Sequence, residues 1–235
     1  MKTYDVEAAA KQMRCLMGPS TVILPIQNGV DVSEWIAAHV DAERVLGGLC
    51  LGGATLEEPG VVAQKTTRVR ILIGELDGSR SSRVDHLRQA LMEAGIDAET
   101  PRDIRVALWE KFLGVCGTHS LSALTRLPVS ALFEDPETNA LVRGLMLEAL
   151  MVARTSGVPL RDEAVEEVFE DYRRRGAVYA SIYYDLLAGR RLEIEYTNGA
   201  VVRLGRRHGV ATPFNFAVYA GLKPWKDGAP YAPKK

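Results

Sequence analysis

The chain has 235 residues, 47% hydrophobic and 25% charged, with a net charge of -1 at pH 7. That is enough for one large domain or two ordinary ones, and the composition is globular. The near-zero charge gives no electrostatic case for nucleic acid or an anionic membrane as partner. Cys15, Cys50 and Cys116 are too few and too scattered for a disulfide framework or a zinc site, so no metal is expected and apolar thiol surroundings are. The chain shows no apolar run of signal-peptide length and no uncharged stretch able to span a bilayer, so a reduced, cytoplasmic protein is expected.

The first predicted element is an amphipathic helix with Val6, Ala9, Met13, Leu16 and Met17 on its apolar side and Thr3 or Asp5 as cap. Residues 20–29, STVILPIQNG, read as a buried strand ending in a turn at Gln27-Asn28-Gly29. Asp31 or Ser33 can cap a short helix through Trp35 to His39. Strands are expected over 44–54, 61–65 and 68–74, the last with Val69, Ile71 and Ile73 inward. Gly47, Gly48, Gly52 and Gly53 mark close backbone approach in the first of these. An amphipathic helix over 79–94 stops at Gly95. From Glu99-Thr100-Pro101 onward nearly every pattern is helical: 105–124, 128–133, 136–156, 162–175, 179–189, 193–209 and 213–222. The expected organisation is a small α/β piece over 1–98, an all-helical domain over 99–225 and a loose tail over 226–235. A dinucleotide-binding fold carries G-x-G-x-x-G between its first strand and helix. This chain contains no such triplet and opens on a helix.

The segment 105–124, RVALWEKFLGVCGTHSLSAL, is the longest helical pattern without an internal proline. Leu108, Phe112, Cys116 and Leu124 fall near one side. Lys111, Val115, His119 and Ser122 follow a second stripe, turn after turn. Lysines are mostly exposed, so spacing alone leaves Lys111 as either a solvated charge or a catalytic group.

The order QNG, glycine-rich strand, LWEKF and YYDLLAGRRLEIEYTNGAVVRLGRRHGVATPFN resembles the ketopantoate reductases (2-dehydropantoate 2-reductases), from Lys2 to about Leu222. Its most specific part is 185–213, where D-x-x-x-G-R-x-x-E-I-x-x-x-N-G precedes H-G-V-x-T-P. The resemblance implies a Rossmann domain for NADPH, a helical C-terminal domain of the 6-phosphogluconate dehydrogenase-like type, and a substrate cleft between them. It implies reduction of ketopantoate to pantoate, in pantothenate biosynthesis. It further implies Lys111 as proton donor, Glu193 as a contact to cofactor and substrate, and Asn28 beside nicotinamide and substrate. Lys2 and Ala54 match cofactor contacts, and Ser181 matches a serine holding the substrate carboxylate. His119 keeps a hydrogen-bond donor for the substrate, and Asn198-Gly199 serves either close packing or substrate contact. Hydride arriving at a ketone carbon leaves negative charge on oxygen. A lysine ammonium stabilises that charge and supplies the proton, an effect of ~10²–10⁴-fold.

Three departures accompany the resemblance. The family's first strand, glycine-rich loop and second strand have no counterpart, and Met1 stands in the valine position of a V-K motif. The expectation is a truncated Rossmann-like piece, with either a natural start further upstream or a genuine truncation. Val115 and His119 occupy positions where the family commonly has asparagines. The family's S-S-M-x-x-D is A-S-I-Y-Y-D, with bulky Tyr183 and Tyr184 beside the retained Ser181 and Asp185. The last two bear on the substrate more than on the reaction. The expected partners are a small 2-keto acid and a second copy in a homodimer. The competing reading is a truncated, non-catalytic homologue serving as a dimerisation or ligand-binding module.

Overall fold

Close backbone packing shapes the sheet that follows the first glycine pair. In the computed structural model, which describes residues 1–230, β1 (Gly47–Leu51) pairs antiparallel with β4 (Arg70–Gly74), and β4 pairs parallel with β5 (Asp97–Glu99). A Cβ at Gly48 would lie 2.2 Å from the Pro25 carbonyl oxygen, and one at Gly47 2.6 Å from the Ile104 side chain. These two glycines therefore supply the close approach expected of them. Between β4 and β5 runs α3 (Ser82–Glu93), capped by Ser81 Oγ accepting from Val84 N and left through Gly95 at φ 79°. Leu49, Leu72, Ile104 and Leu108 pack on one face of the sheet and Leu46, Ile73 and Val84 on the other. The end of β4 is thus buried on both faces, beyond the alternation expected.

Several expectations for this part give way to local causes. Residues 20–29 make a single parallel bridge, Ile23 with Val45, because Pro25 has no N–H to extend a ladder. Residues 54–58 form β2 (Ala54–Glu58), which pairs with β3 (Val61–Gln64) in an exposed hairpin turning at Gly60, φ 85°. The first helix, α1 (Val6–Met13), buries Val6 and Ala10 and leaves Leu16 exposed. It packs on α2 (Val32–Ala37), whose Val32 and Ile36 join the same cluster. Cys15 is exposed, against expectation. The chain divides into compact units Met1–Leu108 and Trp109–Lys235. The first reaches past residue 98 because β5 pairs with β4 and both Ile104 and Leu108 pack on the sheet.

Glu75 follows β4 and is buried against Arg83, Nε to Oε1 at 2.6 Å, and Ser81, Oγ to Oε1 at 2.5 Å. The Arg83 guanidinium holds its carboxyl below the usual range, against an opposing push from burial. A depressed folded-state pKa contributes stability above the unfolded value and loses it as pH falls through the folded value. Glu75→Gln is therefore expected to melt below the parent at pH 7, with the gap closing as pH drops below about 4. Thermal melts across that range check this, and a gap independent of pH would contradict it.

The second unit is helical. The helix α4 (Ile104–Gly114) begins in the first unit and carries Trp109 and Lys111 in the second. It is followed by α5 (Ser120–Thr125), α6 (Pro136–Thr155), α7 (Ala164–Arg173), α8 (Ser181–Leu187), α9 (Asn198–His208) and α10 (Pro213–Leu222). Asp135 starts α6 by accepting from Glu137 N and Thr138 N, with Pro136 in the first turn. The fully buried Val142, Leu145, Met146, Ala149 and Ala153 make α6 the central helix, against α7, α9 and α10. The helix expected over 193–209 is broken. A 3₁₀ turn, Glu193–Tyr196, is separated from α9 by Thr197 at φ -109°, ψ -110°. The expected loose tail bonds back within the described residues: Leu192 N donates to Lys226 O and Ala229 N to Gly189 O. Residues 231–235 of that tail lie outside the described residues. Among the described residues no helix is long and apolar enough to cross a membrane.

Candidate active site

The segment expected as one regular helix is interrupted. Val115–His119 form a π-helical turn between α4 and α5. At ~100° per residue, a position eight residues on lies about 80° round a regular helix. A π-turn absorbs one extra residue and leaves position 119 about 20° from position 111. The stripe Lys111, Val115, His119, Ser122 therefore does not form. Val115 and Ser122 are buried, whereas Lys111 and His119 are both half-buried.

Burial pushes the His119 imidazole down to about 4, and the charges of Lys111 and Arg175 add to the shift. Its ring lies tilted against Tyr172 at 6.1 Å, and the Arg175 guanidinium stacks over Tyr172 at 3.6 Å. Taken whole the residue is only half-buried, so the neighbouring cations matter alongside desolvation. An unfolded histidine titrates near ~6.5. Stability from this group is full above that value and falls as pH drops toward 4, because the unfolded state then binds the proton. The His119 ring is expected to stay neutral from about pH 5 to 8 in an NMR titration. A midpoint near the unfolded value in the folded protein would contradict the site described here.

The π-turn is clamped from α9. Asn198 Nδ2 donates to Cys116 O and to Asn215 Oδ1, each at 2.9 Å. Ser120 Oγ and Thr197 Oγ1 lie 3.3 Å apart, and Thr118 Oγ1 donates to Gly114 O at 2.8 Å. Of the two roles open for Asn198, these bonds favour close packing: it is fully buried, and its amide protons hold a carbonyl and a neighbouring amide. Gly199 likewise serves close packing, since a Cβ there would lie 2.8 Å from Ile194 O. Glu193, mostly buried, stands on the 3₁₀ turn just before this clamp. Ser181 is exposed at the start of α8, which packs against α5 and the π-turn. Asp185 is buried and accepts from Arg190 Nε at 2.9 Å, a tie within the fold. The π-turn that carries His119 thus continues the helix bearing Lys111 and packs on α8, which begins at Ser181. Sequence reasoning missed Asn215, Glu148 and Tyr172; the asparagine in T-P-F-N was the one available signal.

In the first unit, Lys2 and Asn28 are joined by a neighbour that sequence reasoning treated as a helix cap. Thr3 is buried and its Oγ1 donates to Asn28 O at 3.1 Å. Gly29 turns the chain at φ 120°. Ala54 is exposed at the start of β2, just beyond the C-terminal end of β1. Ala54 follows the C-terminal end of β1, where α/β sheets present ligands, and Asn28 lies five residues beyond Ile23, which bridges to Val45. Gln27 Oε1 is buried with no hydrogen-bond partner. A carboxamide N–H, such as that of a nicotinamide, is a fitting donor for it. The residues present fit the nicotinamide end of NADPH, while a glycine-rich phosphate loop is not among them.

An α/β unit followed in the chain by a helical unit fits the class of nicotinamide-dependent reductases. Comparison with known proteins agrees. Residues 1–78 match ketopantoate reductase PanE/ApbA, and residues 103–226 match ketopantoate reductase PanE/ApbA C terminal. The 2-dehydropantoate 2-reductase of Halobacterium salinarum is 31% identical over 219 residues, covering 91% of this chain and 70% of that protein. The crystal structure of 2-dehydropantoate 2-reductase from Geobacter metallireducens GS-15 superposes with a TM-score of 0.87 at 30% identity, covering 95% of this chain and 74% of that one. A complex of D-mandelate dehydrogenase with NADH shares the fold at 24% identity, with a TM-score of 0.87 over 96% of this chain and 76% of that one. The chain belongs to the ketopantoate reductase family.

Proposed function

We propose that this chain is an NADPH-dependent reductase that converts ketopantoate, or a closely related 2-keto acid, to the 2-hydroxy acid used in pantothenate biosynthesis. The observation that carries this reading is Lys111, half-buried beside His119 at the π-turn, in a chain whose family matches span both its parts. When bound, NADPH would supply the hydride that reduces the 2-keto carbon. Lys111 Nζ gives its proton to the carbonyl oxygen as that oxygen becomes a hydroxyl. Ser181 Oγ binds the substrate carboxylate, and Glu193 orients substrate and cofactor. His119, neutral at pH 7, offers a hydrogen bond without charge where the family commonly has an asparagine. Lys2, Asn28 and Ala54 hold the nicotinamide end, with Gln27 Oε1 as acceptor for a carboxamide N–H. The proposed partners are the 2-keto acid and a second copy of the chain. A non-catalytic module is not favoured, since the family match includes residues 1–78 as well as the helical part.

Fluorescence titration with NADPH tests the cofactor half of this reading on the 235-residue chain. Saturable binding below ~1 mM, the upper end of ordinary enzyme affinities, is expected. No saturation at that concentration would overturn the reading.

A further inference from the structure

We infer that Asn198, backed by Asn215 and Glu148, is a positioning residue that holds the π-turn and so keeps His119 on the Lys111 side of its helix. The catalytic consequence rests on Lys111 being the acid proposed above; the structural part does not.

A π-turn gives up the regular i→i−4 bonds of the helix it interrupts, so something must favour it over plain α-helix. Thr118 Oγ1 bonds Gly114 O within the same helix, a contact that sets no outside reference. Asn198 is 82 residues along the chain from Cys116, whose carbonyl oxygen it holds. It fixes the turn to a different helix. Its second amide proton goes to Asn215 Oδ1. Asn215 Nδ2 in turn donates to Leu145 O at 3.1 Å and Glu148 Oε2 at 2.7 Å. Glu148 also accepts from Phe214 N and Asn215 N, each at 2.9 Å, capping α10. The hydrogen-bond chain therefore links the π-turn through α9 and α10 to acceptors on the central helix.

One atom shows that the donor end of Asn198 is the part in use. Its Oδ1 is buried with no hydrogen-bond partner, an unfavourable feature that an apolar side chain of similar size would avoid. The walls of the turn are shaped for the same geometry. A Cβ at Gly117 would lie 2.7 Å from Met146 Cγ, and one at Gly114 2.1 Å from the Tyr172 ring. If the turn relaxed to α-helix, His119 would rotate by about 100° relative to Lys111, away from the face they share.

The test replaces Asn198 by leucine, which keeps the volume and removes the donor. Glu148→Gln is a milder second variant that keeps one side-chain acceptor oxygen for the backbone amides of α10 and removes the other. Two readouts are taken on the full chain: the His119 titration midpoint by NMR, and kcat and KM for ketopantoate with NADPH. His119 faces Lys111, Arg175 and Tyr172, and none of these is altered. The expected result for Asn198→Leu is a midpoint raised by roughly a unit or more, with kcat lowered at least about tenfold and KM for NADPH unchanged. Glu148→Gln should move the midpoint the same way by less, and carries the test alone if Asn198→Leu does not fold. A midpoint unchanged in the folded variants overturns the inference. A raised midpoint with unchanged kcat supports the positioning role while counting against Lys111 as the acid, so the two readings fail separately.

Discussion

Lys111→Ala is expected to lower turnover about 10²–10⁴-fold while leaving NADPH affinity nearly intact. Lys111 stands on α4, four residues before the first residue of the π-turn. Its proposed task arises as charge develops on the substrate oxygen, so its loss falls on kcat rather than on ground-state binding. The same variant should raise the His119 midpoint above its value of about 4, because the Lys111 charge ranks second only to burial among the causes of that low value. Steady-state kinetics, fluorescence titration and NMR read the three effects independently. Equal loss of turnover and cofactor affinity would contradict the proton-donor role.

Gly114→Ala is expected to destabilise the protein by about 1–2 kcal/mol. Alanine gains ~1 kcal/mol over glycine inside a helix. Overpacking a filled core loses ~1–3 kcal/mol, and the geometry decides which effect wins. The new Cβ would lie 2.1 Å from Tyr172 Cε2 and 2.3 Å from Cζ. That ring is 4% exposed and lies under the Arg175 guanidinium, so it cannot turn aside without opening the core. For a chain of this length the loss corresponds to a drop of roughly 2–8 °C in Tm, measured by calorimetry. A higher Tm would show that the helix propensity prevails and that Tyr172 is mobile.

What sequence made legible here was whatever rests on local chemistry. The helical pattern over 136–156 became α6, and Gly95 ends α3 as expected. Lys111, Glu193, Asn28 and Ser181 could be proposed because each sits in a stretch that resembles the family. The failures share a different cause, which is contact between distant residues. No local pattern marks the π-turn, whose register depends on Asn198 holding Cys116 O and on Met146 packing at Gly117. The stripe expected through Val115 and Ser122 was therefore misplaced, and the role of Asn198 was left open between packing and substrate contact. Short β2 and β5 are set by their pairing partners rather than by their own residues. The apolar run over 20–29 looked like a strand, yet Pro25 left it a single bridge.

The most direct test of the account is the reaction itself. Ketopantoate and NADPH at millimolar concentrations are incubated with the 235-residue chain, and NADPH loss at 340 nm, about the reduced nicotinamide maximum, is followed together with chromatographic detection of pantoate. The account predicts pantoate formed in equal amount to NADPH consumed, with Lys111→Ala near background. A fully folded chain that saturates with NADPH yet forms no hydroxy acid from ketopantoate or related 2-keto acids would contradict it.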